Sequence, residues 1–133
     1  MQQIQLINTL DSIAKVSAKD CIISNNKVVF LIPEDAIKKA IGKKGSNVRM
    51  LAQKLKKKVE LFEYAEEPKT FLEKAFSKVR IEKVKIKEVR GKKIMFVKTE
   101  PESKGIILRN LGRLKSVKEL AKRNYGIEEI RIR

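Results

Sequence analysis

The residues best suited to chemistry form a short glycine loop, Gly42-Lys43-Lys44-Gly45. Neither glycine carries a Cβ atom, so the backbone can turn sharply here and approach a ligand closely. Lys43 and Lys44 extend two positive charges from the same loop. A helix that begins directly after the loop would add its free N–H groups and the positive end of its dipole. The pattern predicts a clamp for a phosphate backbone.

Predicted amphipathic helices flank this loop on both sides. Their apolar residues recur at helical spacing, at Ala36, Ile37, Ala40 and Ile41 before the loop and at Val48, Leu51, Ala52 and Leu55 after it. We expect Ser46 or Asn47 to cap the second helix. A lone G-x-x-G is a weak motif, and the alternative is a helical corner whose lysines are solvated. The helices and strands predicted around the loop favour the clamp.

The first half of the chain alternates predicted helices and strands. A helix with an apolar face from Leu6 to Ser17 precedes two strands at 21–23 and 27–32, joined by a turn that contains Asn25 and Asn26. The strand at 27–32 is almost continuously apolar, which is typical of the middle of a sheet. A third strand at 58–64 follows the helices around the loop. The predicted order is helix, strand, strand, helix, helix, strand.

The same order begins again after a polar break at 65–68. We predict a helix at 70–78, strands at 79–89 and 94–97, helices through 125, and a final strand that includes Ile130 and Ile132. Phe96 follows Phe30 by 66 residues, and Gly112 follows Gly45 by 67, which indicates a two-copy repeat of about 65 residues. The prediction is an α+β protein with domains at 1–65 and 66–133, each a three-stranded mixed sheet packed on helices.

The composition limits both the partner and the chemistry. Lys and Arg number 32 against 16 Asp and Glu, giving a net charge of +16, which indicates a polyanionic partner, nucleic acid before membrane. One Cys and no His exclude an internal disulfide, the usual Cys/His zinc sites and His-dependent catalytic triads. Cys21 is expected to be a buried strand residue. We therefore expect a cytoplasmic protein with no metal, no cofactor and no enzymatic activity.

The second copy lacks the glycine pair. If Gly112 matches Gly45, then Arg109 takes the place of Gly42, and a side chain there would obstruct a phosphate. The helix that follows also looks about one residue short. Residues 1–66 carry 12 basic and 7 acidic groups, net +5, whereas residues 67–133 carry 20 and 9, net +11. We expect this copy to contact nucleic acid mainly through the point charges of Arg109, Arg113 and Lys115, with Asn110 and Gly112 beside them, although a solvated basic face is the alternative.

With both copies in view, the sequence resembles archaeal NusA-like transcription factors, which consist of two tandem KH domains. Ile41-Gly42-Lys43-Lys44-Gly45 matches the I-G-x-x-G pattern of KH domains, and further similarity lies at residues 19–22, 57–64 and 119–123. The resemblance covers nearly the whole chain. The second copy departs from the family pattern at Leu108-Arg109-Asn110-Leu111-Gly112, which argues against a second clamp.

The resemblance implies a fold and a function. The fold is the type II (prokaryotic) KH topology, with no S1 domain and no polymerase-binding domain. The function is binding of single-stranded RNA, the nascent transcript, in transcription termination or antitermination, by a monomer with RNA polymerase as a further candidate partner. The alternative is a structural protein of a ribosome or ribonucleoprotein that uses its charge without selecting sequence.

The same resemblance assigns roles around the first loop. Gly42 and Gly45 permit approach of the RNA backbone, and Lys43 and Lys44 neutralise its phosphates. Arg49 is a candidate donor to a base or a phosphate. The remaining residues of the expected groove are Ile41, Asn47 and Val48, with Leu31 or Ile32 from the adjacent strand. For the apolar members, a place in the hydrophobic core is the alternative.

Overall fold

The computed structural model describes residues 3–24, 26–76 and 78–133. They form two compact units, Met1–Ala65 and Glu66–Arg133. Each unit contains a three-stranded mixed sheet packed on helices, which confirms the predicted α+β fold class. Each also repeats the order helix, strand, strand, helix, helix, strand.

The first unit is built around a parallel and an antiparallel strand pair. Its elements are α1 (Gln3–Ala14), β1 (Asp20–Ile23), β2 (Lys27–Ile32), α2 (Ile37–Ile41), α3 (Ser46–Leu55) and β3 (Lys58–Glu63). β2 is central, antiparallel to β1 and parallel to β3. Its residues 28–32 are all buried, as the apolar run predicts. Asn26 lies between β1 and β2, and Asn25 of the predicted turn is outside the described residues.

The core of the first unit lies between this sheet and the helices. Leu10 of α1, Phe30 of β2 and Leu51 of α3 are fully buried in one cluster. Burial of a side chain of this size contributes about 1.5–3 kcal/mol relative to leaving it exposed. Cys21 is 1% exposed and belongs to the same cluster, so its predicted role as a buried strand residue is confirmed. This core holds α3 in place and therefore fixes where the glycine loop projects.

The second unit has the same strand pairing. Its elements are α4 (Pro68–Ala75), β4 (Ile81–Val89), β5 (Lys92–Thr99), α5 (Pro101–Arg109), α6 (Leu111–Tyr125) and β6 (Ile127–Ile132). β5 is central, antiparallel to β4 and parallel to β6. The helix predicted at 70–78 begins earlier and ends at Ala75, because Phe76 is extended and Lys78 has a φ of 63°. Ser77 lies outside the described residues.

Two details of the predicted repeat are wrong. Phe30 lies in the core of the first unit, but Phe96 is half-buried between the buried residues Met95 and Val97. A register shift of one residue turns every side chain to the other face of a sheet, so Phe96 does not take the place of Phe30. The helix after the second junction is also not short, since α6 has 15 residues against ten in α3.

Candidate nucleic-acid interface

The glycine loop begins at Gly42, whose backbone conformation is closed to residues that carry a side chain. Gly42 has φ 78° and ψ 170°, a region that is essentially restricted to glycine. Its N–H donates to the Lys38 carbonyl at 3.0 Å, and the Gly45 N–H donates to the Gly42 carbonyl at 3.1 Å. Lys44 and Gly45 are both left-handed, with φ of 54° and 75°. The sharp turn predicted from the two glycines is thus present.

The space around Gly42 allows no side chain at all. A Cβ atom there would lie 2.8 Å from the backbone nitrogen of Asn47 and 2.8 Å from the Ser46 hydroxyl. At Gly45 the nearest atom to such a Cβ would be a guanidinium nitrogen of Arg49, at 3.3 Å. Gly42 is therefore required by both conformation and packing, whereas Gly45 is required mainly by its positive φ.

The predicted side-chain cap on α3 is wrong. Gly45 occupies the N-cap position, and no side chain accepts a hydrogen bond from the first turn. A capping residue must lie just before the first helical residue. Left-handed Gly45 takes that position, so Ser46 and Asn47 both lie inside the first turn of α3. The Asn47 amide instead donates to the Lys39 carbonyl at 2.9 Å and ties α3 to α2. The N-terminal end of α3 therefore faces the loop without a side-chain cap.

Basic side chains surround the loop. Lys43 and Lys44 are exposed, as are Lys38 and Lys39 on α2. The exposed Arg49 guanidinium donates to the carbonyl of Lys44. Arg49, the predicted donor to a base or a phosphate, therefore lies against the loop. The structure thus brings the predicted residues Ile41 to Gly45 and Asn47 to Arg49 together at one corner of the first unit.

An apolar strip accompanies these charges. Ile41 is 39% exposed and Val48 is half-buried, in agreement with a surface position beside the loop. Leu31 and Ile32 are fully buried, so the prediction that either lines the groove is wrong. Met50, 52% exposed, is an apolar surface residue that the sequence reasoning missed, and it lies about 200° around α3 from Val48, on another face of the helix. Its position outside the buried stripe of α3 was the feature that could have identified it.

The second helix junction has a different construction. α5 ends at Arg109 and α6 begins at Leu111, so Asn110 alone separates them. The Asn110 side chain caps α6 by accepting from the Arg113 N–H at 3.2 Å. Gly112 lies inside the first turn of α6 and has no positive φ. The degenerate motif therefore forms a helical corner and presents no glycine loop.

The basic residues of this corner differ in their availability. Arg109 is exposed, and its Nε donates to the Gly105 carbonyl at 3.0 Å. Arg113 is half-buried and donates to the carbonyl of Ala75, which fastens α6 to the end of α4. Lys115 is exposed. Arg109 and Lys115 can therefore meet a polyanion as point charges, whereas Arg113 has a structural contact.

Residues 3–24, 26–76 and 78–133 show neither a metal site nor a membrane-spanning helix. They contain no group of three or more Cys, Asp or Glu side chains placed to hold a metal ion. No helix among them combines the length and the apolar character needed to cross a membrane.

Known proteins share this arrangement. The KH domain family matches residues 7–91, a segment that includes the glycine loop. The probable transcription termination protein NusA of Methanocaldococcus jannaschii is 28% identical over 132 residues, covering 98% of this chain and 72% of that protein. The protein of the same name from Halobacterium salinarum strain R1 is 28% identical over 129 residues, covering 96% and 92%.

A solved structure is similar to the whole chain. The crystal structure of APE1850 superposes with a TM-score of 0.90 at 28% sequence identity, covering 98% of this chain and 97% of that one. The resemblance expected from the sequence is confirmed by these matches. The chain belongs to the KH domain family, and over nearly its whole length it is similar to archaeal NusA-like proteins.

Proposed function

We propose that this protein binds single-stranded RNA through the glycine loop of its first unit and acts by binding alone, in transcription termination or antitermination. Membership of the KH domain family supports RNA binding. The transcription termination proteins among its relatives support a role in transcription. The nascent transcript is then the ligand, and the cytoplasm is the compartment where it is met.

The glycine loop that begins at Gly42 is the observation that carries this proposal. The conformation and the packing at Gly42 both exclude a side chain, so the backbone is bare where two exposed lysines meet the uncapped start of α3. A phosphate can approach such a backbone closely, and Lys43 and Lys44 neutralise its charge. A loop with this geometry holds an RNA backbone of about four nucleotides in KH domains.

The bases have an apolar surface to contact beside this loop. Ile41 and Val48 supply a short strip of exposed or half-buried apolar atoms on α2 and α3. Only unpaired bases can lie on such a strip, because in a duplex the neighbouring base pairs cover the faces of each base. The loop would thus fix the backbone, while the strip would favour single strands over duplexes.

The second unit adds charge without a second loop. Residues 67–133 have a net charge of +11, and the corner at Arg109 and Lys115 is exposed. Point charges of this kind strengthen binding to any RNA and carry little sequence information. If these charges were the whole of the interaction, the protein would be a sequence-independent component of a ribonucleoprotein.

A comparison of RNA forms tests the proposal. The affinity for an unstructured oligonucleotide and for a hairpin stem of equal length and charge is measured over a salt series from about 150 mM upward, because lower salt exaggerates charge. We expect the single strand to bind more tightly than the stem. The ratio of the two affinities should rise with salt concentration, because salt does not screen apolar contacts. Equal affinities across the series would favour the ribonucleoprotein component instead.

A further inference from the structure

The second sheet has an aromatic side chain at the centre of a face turned away from the core. Phe96 of β5 is directly opposite Lys85 of β4 and Arg131 of β6. Residues paired across strands point to the same face of a sheet, so these three side chains form one row. Phe96 remains half-exposed, whereas its neighbours Met95 and Val97 are buried on the opposite face.

Cationic groups surround the Phe96 ring. The Lys87 ammonium lies 5.8 Å from the ring centroid, the Arg131 guanidinium carbon 5.6 Å and the Arg133 guanidinium carbon 5.2 Å. Each distance allows a cation–π attraction. These contacts place positive charge over the ring, while the side chain stays partly open to solvent.

The basic character extends along the neighbouring strand. Lys83, Lys85 and Lys87 alternate on β4, about 6.6 Å apart, and all three are exposed. None of these lysines has a carboxylate within 4 Å among the described residues. Lys83 and Lys85 also line a groove of about 410 Å³ that runs past Phe96 to Lys98 and Arg133.

Two acidic residues pair with cations of this face. Glu129 faces the same side as Lys87, and its carboxylate accepts from the Arg131 guanidinium at 2.8 Å. Glu82 lies 3.8 Å from the ammonium of Lys98. The face retains an excess of positive charge around its aromatic centre.

We propose that this outer face of the β4–β5–β6 sheet is a second site for single-stranded RNA, separate from the glycine loop. An unpaired base stacks on Phe96 in place of flexible cationic side chains that lie over its ring, and Lys83, Lys85 and Lys87 neutralise the phosphates beside it. Aromatic side chains within a basic groove are the general means of holding single strands, because every base has a face that can stack. The inference rests on the proposed function, in that the ligand class is the same.

Photochemical crosslinking of the full chain locates the stacked base. A short oligouridine that carries 5-iodouridine is bound and irradiated, and the crosslinked peptide is identified by mass spectrometry. Iodouracil reacts efficiently with an aromatic ring that lies against it, so we expect a crosslink at Phe96. Phe96→Tyr should keep the crosslink in this region, and Phe96→Leu should lose it while keeping the apolar volume. Absence of any crosslink at position 96 in the wild-type complex would overturn the proposal.

The salt dependence of binding separates the stack from the charges. Phe96→Leu should weaken oligouridine binding at least about fivefold without changing the slope of log affinity against log salt, because stacking is not screened. Lys85→Gln with Lys87→Gln should reduce that slope by about 1.4. Lys54→Gln with Lys56→Gln, in the first unit, removes the same charge from two exposed lysines and should leave the slope nearly unchanged. Equal effects of the two lysine pairs would overturn the site.

The failures of the two proposals are distinguishable. If Phe96→Leu binds like the wild type while substitutions at Lys43 and Lys44 abolish binding, the sheet site is wrong and the glycine loop stands. If the Phe96 crosslink forms in a protein whose loop substitutions have no effect, the sheet site stands and the loop assignment is wrong. Competition of an acidic peptide or of anionic vesicles, but not of oligouridine, for this face would also overturn the proposal.

Discussion

Gly42 is the residue on which the glycine loop depends most. Replacement by alanine would force a Cβ atom to within 2.8 Å of the Asn47 backbone, at a φ of 78°. Such a conformation costs of order 1–3 kcal/mol for a residue other than glycine, before the clash is counted. We expect Gly42→Ala to lower the melting temperature and to reduce RNA affinity at least about tenfold, as measured by circular dichroism and fluorescence anisotropy.

Gly45→Ala is the matched control for this change. It has a similar φ of 75°, but its Cβ atom would meet only a guanidinium nitrogen of Arg49 at 3.3 Å. A flexible side chain can move away, so the cost is limited to the left-handed backbone, about 1 kcal/mol. A larger loss of stability at Gly45 than at Gly42 would contradict the geometry of the loop described above.

The ion pair between Glu129 and Arg131 makes stability depend on pH. The hydrogen bond from Arg131 lowers the pKa of the Glu129 carboxyl below its ordinary value, with nearby Lys118 and Lys92 acting in the same direction. Because the folded pKa is lowered, this contribution to stability is present above the unfolded pKa and is lost as pH falls through the folded pKa. We expect Arg131→Gln to raise the Glu129 pKa in an NMR titration. An unchanged pKa would show that the pair does not persist in solution.

Helix α6 depends on its cap, whereas α3 does not. Asn110 accepts from the Arg113 N–H at 3.2 Å, so Asn110→Ala should cost about 1 kcal/mol in urea unfolding. Ser46→Ala at the start of α3 removes no capping hydrogen bond and should change stability by less than about 0.5 kcal/mol. Equal losses for the two variants would contradict these assignments.

The second helix junction should not become an RNA clamp when its first glycine is restored. Arg109→Gly creates the G-x-x-G pattern at 109–112, but Asn110 alone separates α5 from α6, and Gly112 remains helical. The substitution also removes a positive charge. We expect RNA affinity in filter binding to stay equal or fall slightly, and an increase of tenfold or more would show that a hidden loop exists.

Individual elements were predictable where one physical preference dominates. The apolar run at Val28–Ile32 and the helical stripe through Leu51 gave the central strand and α3 correctly. The cap of α3 was not predictable in the same way, because Gly45 takes the left-handed position that places Ser46 inside the helix. Side-chain preferences do not reveal such a backbone choice.

At the scale of the whole molecule, the internal repeat predicted the architecture but not the faces of the second sheet. A repeat offset of 66 residues makes Phe96 the equivalent of Phe30. An offset of 67 residues instead makes Val97, which is buried, the equivalent of Phe30. Only the register of the strands decides between the two. The groove by the loop shows a similar limit, since Leu31 and Ile32 are apolar whether they face a ligand or the core.

The excess charge of the whole chain makes any test of specificity demanding. With a net charge of +16, the protein will bind many polyanions in dilute buffer. A loss of affinity is therefore meaningful only when compared with an equal loss of charge elsewhere. Lys54 and Lys56 provide that comparison, because both are exposed in the first unit at the far end of α3. Lys56, like Lys44, is left-handed, with a φ of 56° against 54°.

The most direct measurement compares the RNA affinity of two double variants of the full chain at about 150 mM salt. The loop variant carries Lys43→Asp and Lys44→Asp, and the control variant carries Lys54→Asp and Lys56→Asp. Asp tolerates the left-handed conformation, so both double variants should keep their melting temperatures close to that of the wild type. We predict that the loop variant loses at least about tenfold in affinity for a single-stranded oligonucleotide, and that the control loses much less. Equal losses in two folded variants would contradict binding through the glycine loop and leave net charge as the only explanation.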